Sequence, residues 1–280
     1  MDGSGWTQQA LTRLIDLGSR LPFEEASETL GHFGLNISHA ELARLLEQYG
    51  NDADQHVKRS LLQLELAPLE APPGKSGRVM VFQADGVYVL GREGEQVTQG
   101  CGIEIKTALV YPQAAPRQRT RVASVCTAGE FLPLCSGLLR QAGVRLQDTL
   151  VAVTDGAPWL ASLCETLGVS QHILDVYHSS SYLETVMLAL GWEDEKRDGE
   201  RRRWMNGEWS GRDWLKIHLP EEMNPGWSPE ARAAVSYLKN RVHMMEYPRY
   251  KEQGFPIGSG QIEGMNKQVI GGRMKGSGMR

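Results

Sequence analysis

Apolar positions recur at helical spacing through residues 7–49. Leu11, Leu14, Ile15 and Leu17 form one stripe, and Leu30 and Phe33 follow Pro22, a residue suited to a helix start. Gly34 interrupts the pattern. Ser38 stands as an N-cap with Glu41 three residues on, the spacing of a capping box, and Leu42, Leu45 and Leu46 give the helix expected over 39–49 an apolar face. Two helices across a glycine-containing turn predict either a helical hairpin or a helix-turn-helix. Arg44 is the single base-reading cation of the second helix, few for a recognition helix. Proline, glycine and serine then concentrate, so the helical N-terminal region is bounded at 1–66 and a linker is expected over 67–77.

Beyond the linker the period changes. Val79, Met80, Val81 and Phe82 form a short apolar run that ends at Asp85-Gly86, and Val87, Tyr88 and Val89 resume it. That predicts a strand pair around a turn, or one strand with a bulge. Residues 103–111 and 121–126 are further β-rich runs. A helix is expected over 128–142 with Leu132, Leu134, Leu138 and Leu139 on its buried face, then a continuous apolar strand over 149–154, a helix over 159–167 and a strand over 172–176. Three strands, helix, strand, helix, strand is an α/β order whose later strands are parallel and helix-covered. From 179 the strand signals stop. Residues 179–250 carry helical patches, a charge cluster over 196–203, and Trp192, Trp204, Trp209, Trp214 and Trp227. They predict a mostly helical insertion, with the tryptophans as core or interface anchors. A last helix is expected from Gln261, after the turn Gly258-Ser259-Gly260.

The chain has 280 residues, 41% hydrophobic and 23% charged, ordinary globular usage that excludes a collagen, a coiled-coil rod and wholesale disorder. A chain of this length buries most of its apolar surface without disulfides or a structural metal. No apolar run approaches the ~18 residues of a membrane span, and the first residues lack a signal peptide's basic and apolar regions. No membrane partner is expected. Cys101, Cys126, Cys135 and Cys164 form no CxxC pair and no zinc-ligand spacing, so reduced thiols in a cytoplasmic protein are expected. The net charge of −4 argues against a nucleic-acid binder as a whole. The charge is uneven, however: residues 1–75 hold 6 basic and 11 acidic side chains, and residues 241–280 hold 7 and 3. A local cationic end matters more for phosphate contacts than the total.

Asp155 follows a buried parallel strand, where open α/β sheets bind ligands. Asp85 closes the first β-run. Each alone also reads as the aspartate of an Asp-Gly turn; two on neighbouring strands repel, and a divalent cation relieves that repulsion. Glu263 follows the Gly-Ser-Gly turn at the start of a helix, where acids are favoured in any case, and Lys267, Arg273 and Lys275 lie further along the same segment, suited to a polyanionic substrate. Asp175 and His178 form Asp-Val-Tyr-His after the last strand, either a buried histidine bonded to its neighbour or a substrate-positioning, proton-handling pair. Gly-Ser-Gly-Gln-Ile-Glu-Gly lacks the spacing of a dinucleotide fingerprint, and no Gly-x-Ser-x-Gly elbow supports a serine hydrolase.

The order of these motifs resembles a known family. A strand reaching Asp-Gly, then Thr-Asp-Gly-Ala-Pro-Trp-Leu, then Leu-Asp-Val-Tyr-His, then Gly-Ser-Gly-Gln-Ile-Glu-Gly with the closing Arg-Met-Lys-Gly-Ser-Gly-Met-Arg is similar to bacterial insertion-sequence DDE transposases of the ISKra-like and ISLre-like group, relatives of the Mutator-type enzymes. The resemblance spans residues 78–280. It implies an RNase H-like mixed-sheet core over 78–178 and 251–280, with 179–250 as the insertion. It makes Asp85, Asp155 and Glu263 a catalytic metal triad for two Mg2+ or Mn2+ ions, and Asp175 and His178 an accessory catalytic element. The implied activity is metal-dependent DNA strand cleavage and strand transfer, with element ends and target DNA as partners and a homodimer as the working form. Members of the group usually continue past Gly-Met-Arg, whereas the sequence stops at Arg280. A truncated, inactive or co-opted DNA-binding protein is therefore the alternative expectation, and an RNase H-like nuclease without end specificity a third.

Overall fold

Alternation along one strand sets the layout. β1 (Val79–Leu90) sends Met80, Phe82 and Ala84 into one apolar core and Val81 into another on the opposite face. The computed structural model describes residues 5–66, 77–90, 102–220 and 224–275. The expected linker, Gly77 excepted, lies outside the described residues, as do Cys101 and residues 276–280 of the closing motif. β2 (Gly102–Pro112), β3 (Thr120–Ser124), β4 (Thr149–Thr154) and β5 (Gln171–Leu174) join β1 in the order β3-β2-β1-β4-β5. β2 runs antiparallel to β1 and β3, while β4 pairs in parallel with β1 and β5. This is the mixed sheet of an RNase H-like α/β core.

Asp85-Gly86 is not a turn. The β1–β2 ladder continues through it, with Asp85 opposite Thr107 and Gly86 opposite Lys106. The two apolar runs on either side of Asp85-Gly86 belong to one strand, because β2 supplies an unbroken partner along its whole length. A Cβ at position 86 would lie 2.4 Å from Glu104 Oε1, the end of a side chain that would have to move aside. Asp85 thus sits inside β1 rather than at its end, but beyond Phe82, the last residue of β1 paired with β4.

One face of the sheet is covered by α4 (Ala128–Gln141) and α5 (Pro158–Thr166), which bury Phe131, Leu134, Leu138, Leu160 and Leu163. α4 starts at a capping box, in which Thr127 Oγ1 accepts the Glu130 N–H at 3.3 Å and Glu130 Oε2 accepts the Thr127 N–H at 2.8 Å. The other face carries α6 (Val176–Ala189), α7 (Asp194–Met205), α8 (Gly211–His218), α9 (Pro229–Asn240), a 3-10 turn at Val242–Met244 and α10 (Tyr247–Glu252). The strand expected over 172–176 ends at Leu174, because Asp175 caps α6 and Val176 already belongs to that helix. Trp204 and Trp214 are fully buried and meet edge to face at 6.1 Å, so these tryptophans are core anchors. The 196–203 charge cluster lies on α7: Arg197 pairs with Glu184 and Asp194, and Arg203 with Glu200 and Glu208. α11 (Gly260–Met265) follows, continues into a π-helical segment (Asn266–Gly271) and ends in α12 (Gly272–Met274).

The N-terminal helices are α1 (Gln8–Gly18), α2 (Phe23–His32) and α3 (His39–Leu66), closed around Leu14, Ala26, Leu30, Ile37 and Leu42. Gly34 turns the chain between α2 and α3 at φ +75°, and Ser38 Oγ accepts the Glu41 N–H at 3.2 Å. α3 does not stop near residue 49 but runs for 28 residues. Its second half docks on α4: Leu61 joins the Phe131–Leu138 core, and the backbones approach so closely that a Cβ on Gly137 would lie 2.1 Å from the Leu61 carbonyl oxygen. Tertiary burial overrides the helix-poor stretch Gly50-Asn51-Asp52. Among the described residues no helix is long and apolar enough to cross a membrane.

Candidate active site

Register brings the two aspartates together. The parallel β1–β4 pairing ends at Phe82 opposite Ala152, and three residues further along each strand stand Asp85 and Asp155. Both keep the phase of Val81, Val151 and Val153, so both face the insertion side of the sheet. α11 crosses that side and contributes Glu263. The three carboxylates line a cavity of about 380 Å³ together with Asp175, Tyr177, His178 and Ser259.

Each carboxylate is held differently. Asp85 Oδ1 accepts the Gly86 N–H at 2.7 Å, and Oδ2 accepts from Asn266 Nδ2 at 2.8 Å. Burial pushes the Asp85 carboxyl above its ordinary range and the Asp155 charge pushes it further; the Gly86 and Asn266 donors pull it back, and Glu263 again raises it. Asp155 Oδ1 accepts the Ala157 N–H at 2.9 Å. Glu263 is exposed, and its Oε1 accepts from Ser259 Oγ at 2.9 Å.

Asp175 lines the same cavity from a buried position. It is 1% exposed, its Oδ1 accepts the His178 N–H at 2.5 Å, and its Oδ2 accepts the Ser259 N–H at 2.6 Å. Both oxygens are occupied by backbone donors, so Asp175 is a positioning residue that ties the start of α6 to the Gly-Ser-Gly turn. The exposed His178 ring lines the cavity beside Tyr182 and Tyr237, at centroid separations of 5.5 and 6.0 Å. Lys267, Arg273 and Lys275 are exposed on the π-helical segment and just beyond it, and do not line the cavity.

Five residues that the sequence did not single out build the frame. Gln83 is wholly buried; its Nε2 donates to the Gly258 carbonyl at 3.2 Å and its Oε1 accepts the Ile262 N–H at 3.0 Å, which pins α11 to β1. A glutamine within an apolar strand run was the available signal. From α9, the Tyr237 hydroxyl donates to the Asp155 carbonyl and Arg241 Nε donates to the Gly156 carbonyl at 2.8 Å. Nothing local in the sequence marks these two, since the insertion lies some eighty residues away from the loop it grips. Below the loop, Thr154 Oγ1 accepts the Gly156 N–H at 3.2 Å and pairs with His172 Nε2 at 2.8 Å. Burial, reinforced by His243, lowers the His172 pKa to about 4, so its ring is neutral at pH 7.

Among the described residues no group of three or more His, Cys, Asp or Glu side chains stands close enough to hold a metal ion. The donor chemistry nevertheless suits a hard divalent cation: the three side chains offer only oxygen, and their charges already press on Asp85. No protein-family model matches the chain, and no curated protein matches it. Among solved structures, a chain in the crystal structure of the Mos1 strand transfer complex aligns at 12% identity with a TM-score of 0.22, over 87% of this chain and 78% of that one. A TM-score that low carries no information on chemistry.

Proposed function

We propose that this chain is a DNA-processing enzyme of the DDE transposase type, which cleaves a DNA strand and transfers the freed end. The observation that carries the reading is the convergence of Asp85, Asp155 and Glu263 on one cavity at the strand ends of an RNase H-like sheet. In this reading they hold two Mg2+ or Mn2+ ions, whose chemistry when bound is to neutralise a phosphate and lower the pKa of an attacking water or 3′-hydroxyl. The protein's own contribution is placement. Gly86 and Asn266 fix the Asp85 carboxylate, the Tyr237–Arg241 clamp fixes the Asp155–Gly156 backbone, and Gln83 with Asp175 fixes the turn that carries Glu263. His178 faces the substrate across the cavity, and Lys267, Arg273 and Lys275 contact phosphates beyond it.

The test is nicking of supercoiled plasmid in Mg2+ or Mn2+. Wild type is expected to nick, and Asp155→Asn to lose nicking with an unchanged melting midpoint. Nicking retained by Asp155→Asn rejects the assignment. Equal cleavage of element ends and random duplex would assign a nuclease without end recognition instead.

A further inference from the structure

One polar atom beside the carboxylates is unexplained. Asn266 is 8% exposed; its Nδ2 donates to Asp85 Oδ2 at 2.8 Å, while its Oδ1 is buried with no hydrogen-bond partner. An orphaned buried acceptor is destabilising, so a side chain left this way needs a reason. A second observation supplies one: the acidic and histidine side chains do not by themselves close on an ion. The set is short of a donor, and an amide oxygen is a good ligand for a hard cation. Half a rotation of the amide exchanges Nδ2 for Oδ1 opposite Asp85 Oδ2, an arrangement of two acceptors that requires a cation or a proton between them. Asn266 also opens the π-helical segment one turn after Glu263, and such wide turns are frequent at functional sites.

We propose that Asn266 is a cation ligand: its Oδ1 joins Asp85 on a divalent ion, and its Nδ2–Asp85 hydrogen bond is the resting arrangement without the ion. This rests on the metal-site reading above, and names the donor that the carboxylates lack.

The experiment is Mn2+ titration of the purified chain, without DNA, followed by the loss of the free Mn2+ resonance signal, with melting midpoints measured in chelator. Wild type, Asn266→Ala, Asn266→Asp and Asp155→Asn are compared. Asn266→Ala is expected to weaken Mn2+ at least ~10-fold. Asn266→Asp is expected to bind as tightly as wild type or tighter, although it cannot donate to Asp85 and lowers the midpoint in chelator by repulsion. Alanine binding like wild type overturns the proposal. So does aspartate as weak as alanine, which leaves Asn266 a brace on Asp85 while the site reading stands. If the alanine variant does not fold, aspartate against wild type decides, weaker binding being the overturning result. Wild type and Asp155→Asn both failing to bind Mn2+ overturns the site reading and the proposal together.

Discussion

Gly156 is where backbone freedom and space are both demanded. Its φ is +73°, and a Cβ there would lie 2.8 Å from both Leu174 Cδ1 and Arg241 Nε. Gly156→Ala is therefore expected to destabilise by at least about 1–3 kcal/mol, the cost of a non-glycine residue in a left-handed conformation, with overpacking added. Urea denaturation checks it; a midpoint within error of wild type would refute the account. His172 supplies a pH dependence. Its folded pKa of about 4 lies below the ordinary 6.5, so the unfolded chain takes up the proton first. The stabilisation is fully present above pH 6.5 and is lost as pH falls toward 4, on the order of 2 kcal/mol by pH 5. A His172→Gln variant is expected to show a shallower stability decline between pH 7 and 5, and parallel declines would show that another group titrates. At this scale the sequence could single out Asp85, Asp155 and Glu263 because each is part of a short motif, although Asp85-Gly86 reads as a turn and lies inside β1. Gln83, Asn266, Tyr237 and Arg241 were not, because their partners lie tens to hundreds of residues away along the chain.

Periodicity located the elements well where burial is simple. β4 is apolar on both faces and matched its expected bounds, and α4 and α5 fell within one residue of theirs. It failed where a neighbour overrode local preference. β2 draws β1 straight through Asp85-Gly86, and α4 extends α3 well past residue 49. The α3–α4 contact gives its own expectation. Because a Cβ on Gly137 meets the Leu61 backbone rather than a movable side chain, Gly137→Ala cannot be absorbed by a rotamer change. The helices must separate, at an expected cost of about 1–3 kcal/mol. Amide hydrogen exchange is expected to lose protection over the second half of α3 first, with β4 retaining its own. Unchanged protection near Leu61 would show that the approach is looser than the geometry states.

Over the whole molecule, charge is distributed against the total. The chain carries −4, yet Lys267, Arg273 and Lys275 are all exposed on the segment that follows Glu263. Carboxylates repel a phosphate backbone, so under the proposed function these exposed cations are what would draw DNA close, because the net charge of −4 does not favour it. Binding should then depend on a few local contacts and fall steeply with salt. Each phosphate neutralised contributes about 0.9 to the slope of log K against log salt on duplex DNA. Replacing all three cations with alanine is expected to flatten that slope by up to about 2.7. Fluorescence anisotropy of a labelled duplex between 50 and 200 mM salt, about the range where counterion release is readily measured, reads it directly. A full reduction means that all three residues touch phosphate, and a reduction near 0.9 leaves one of them in contact. A slope unchanged in the triple variant, with weaker binding at every salt concentration, would mean that these residues act on the fold of the C-terminal segment and that DNA enters the cavity from another side.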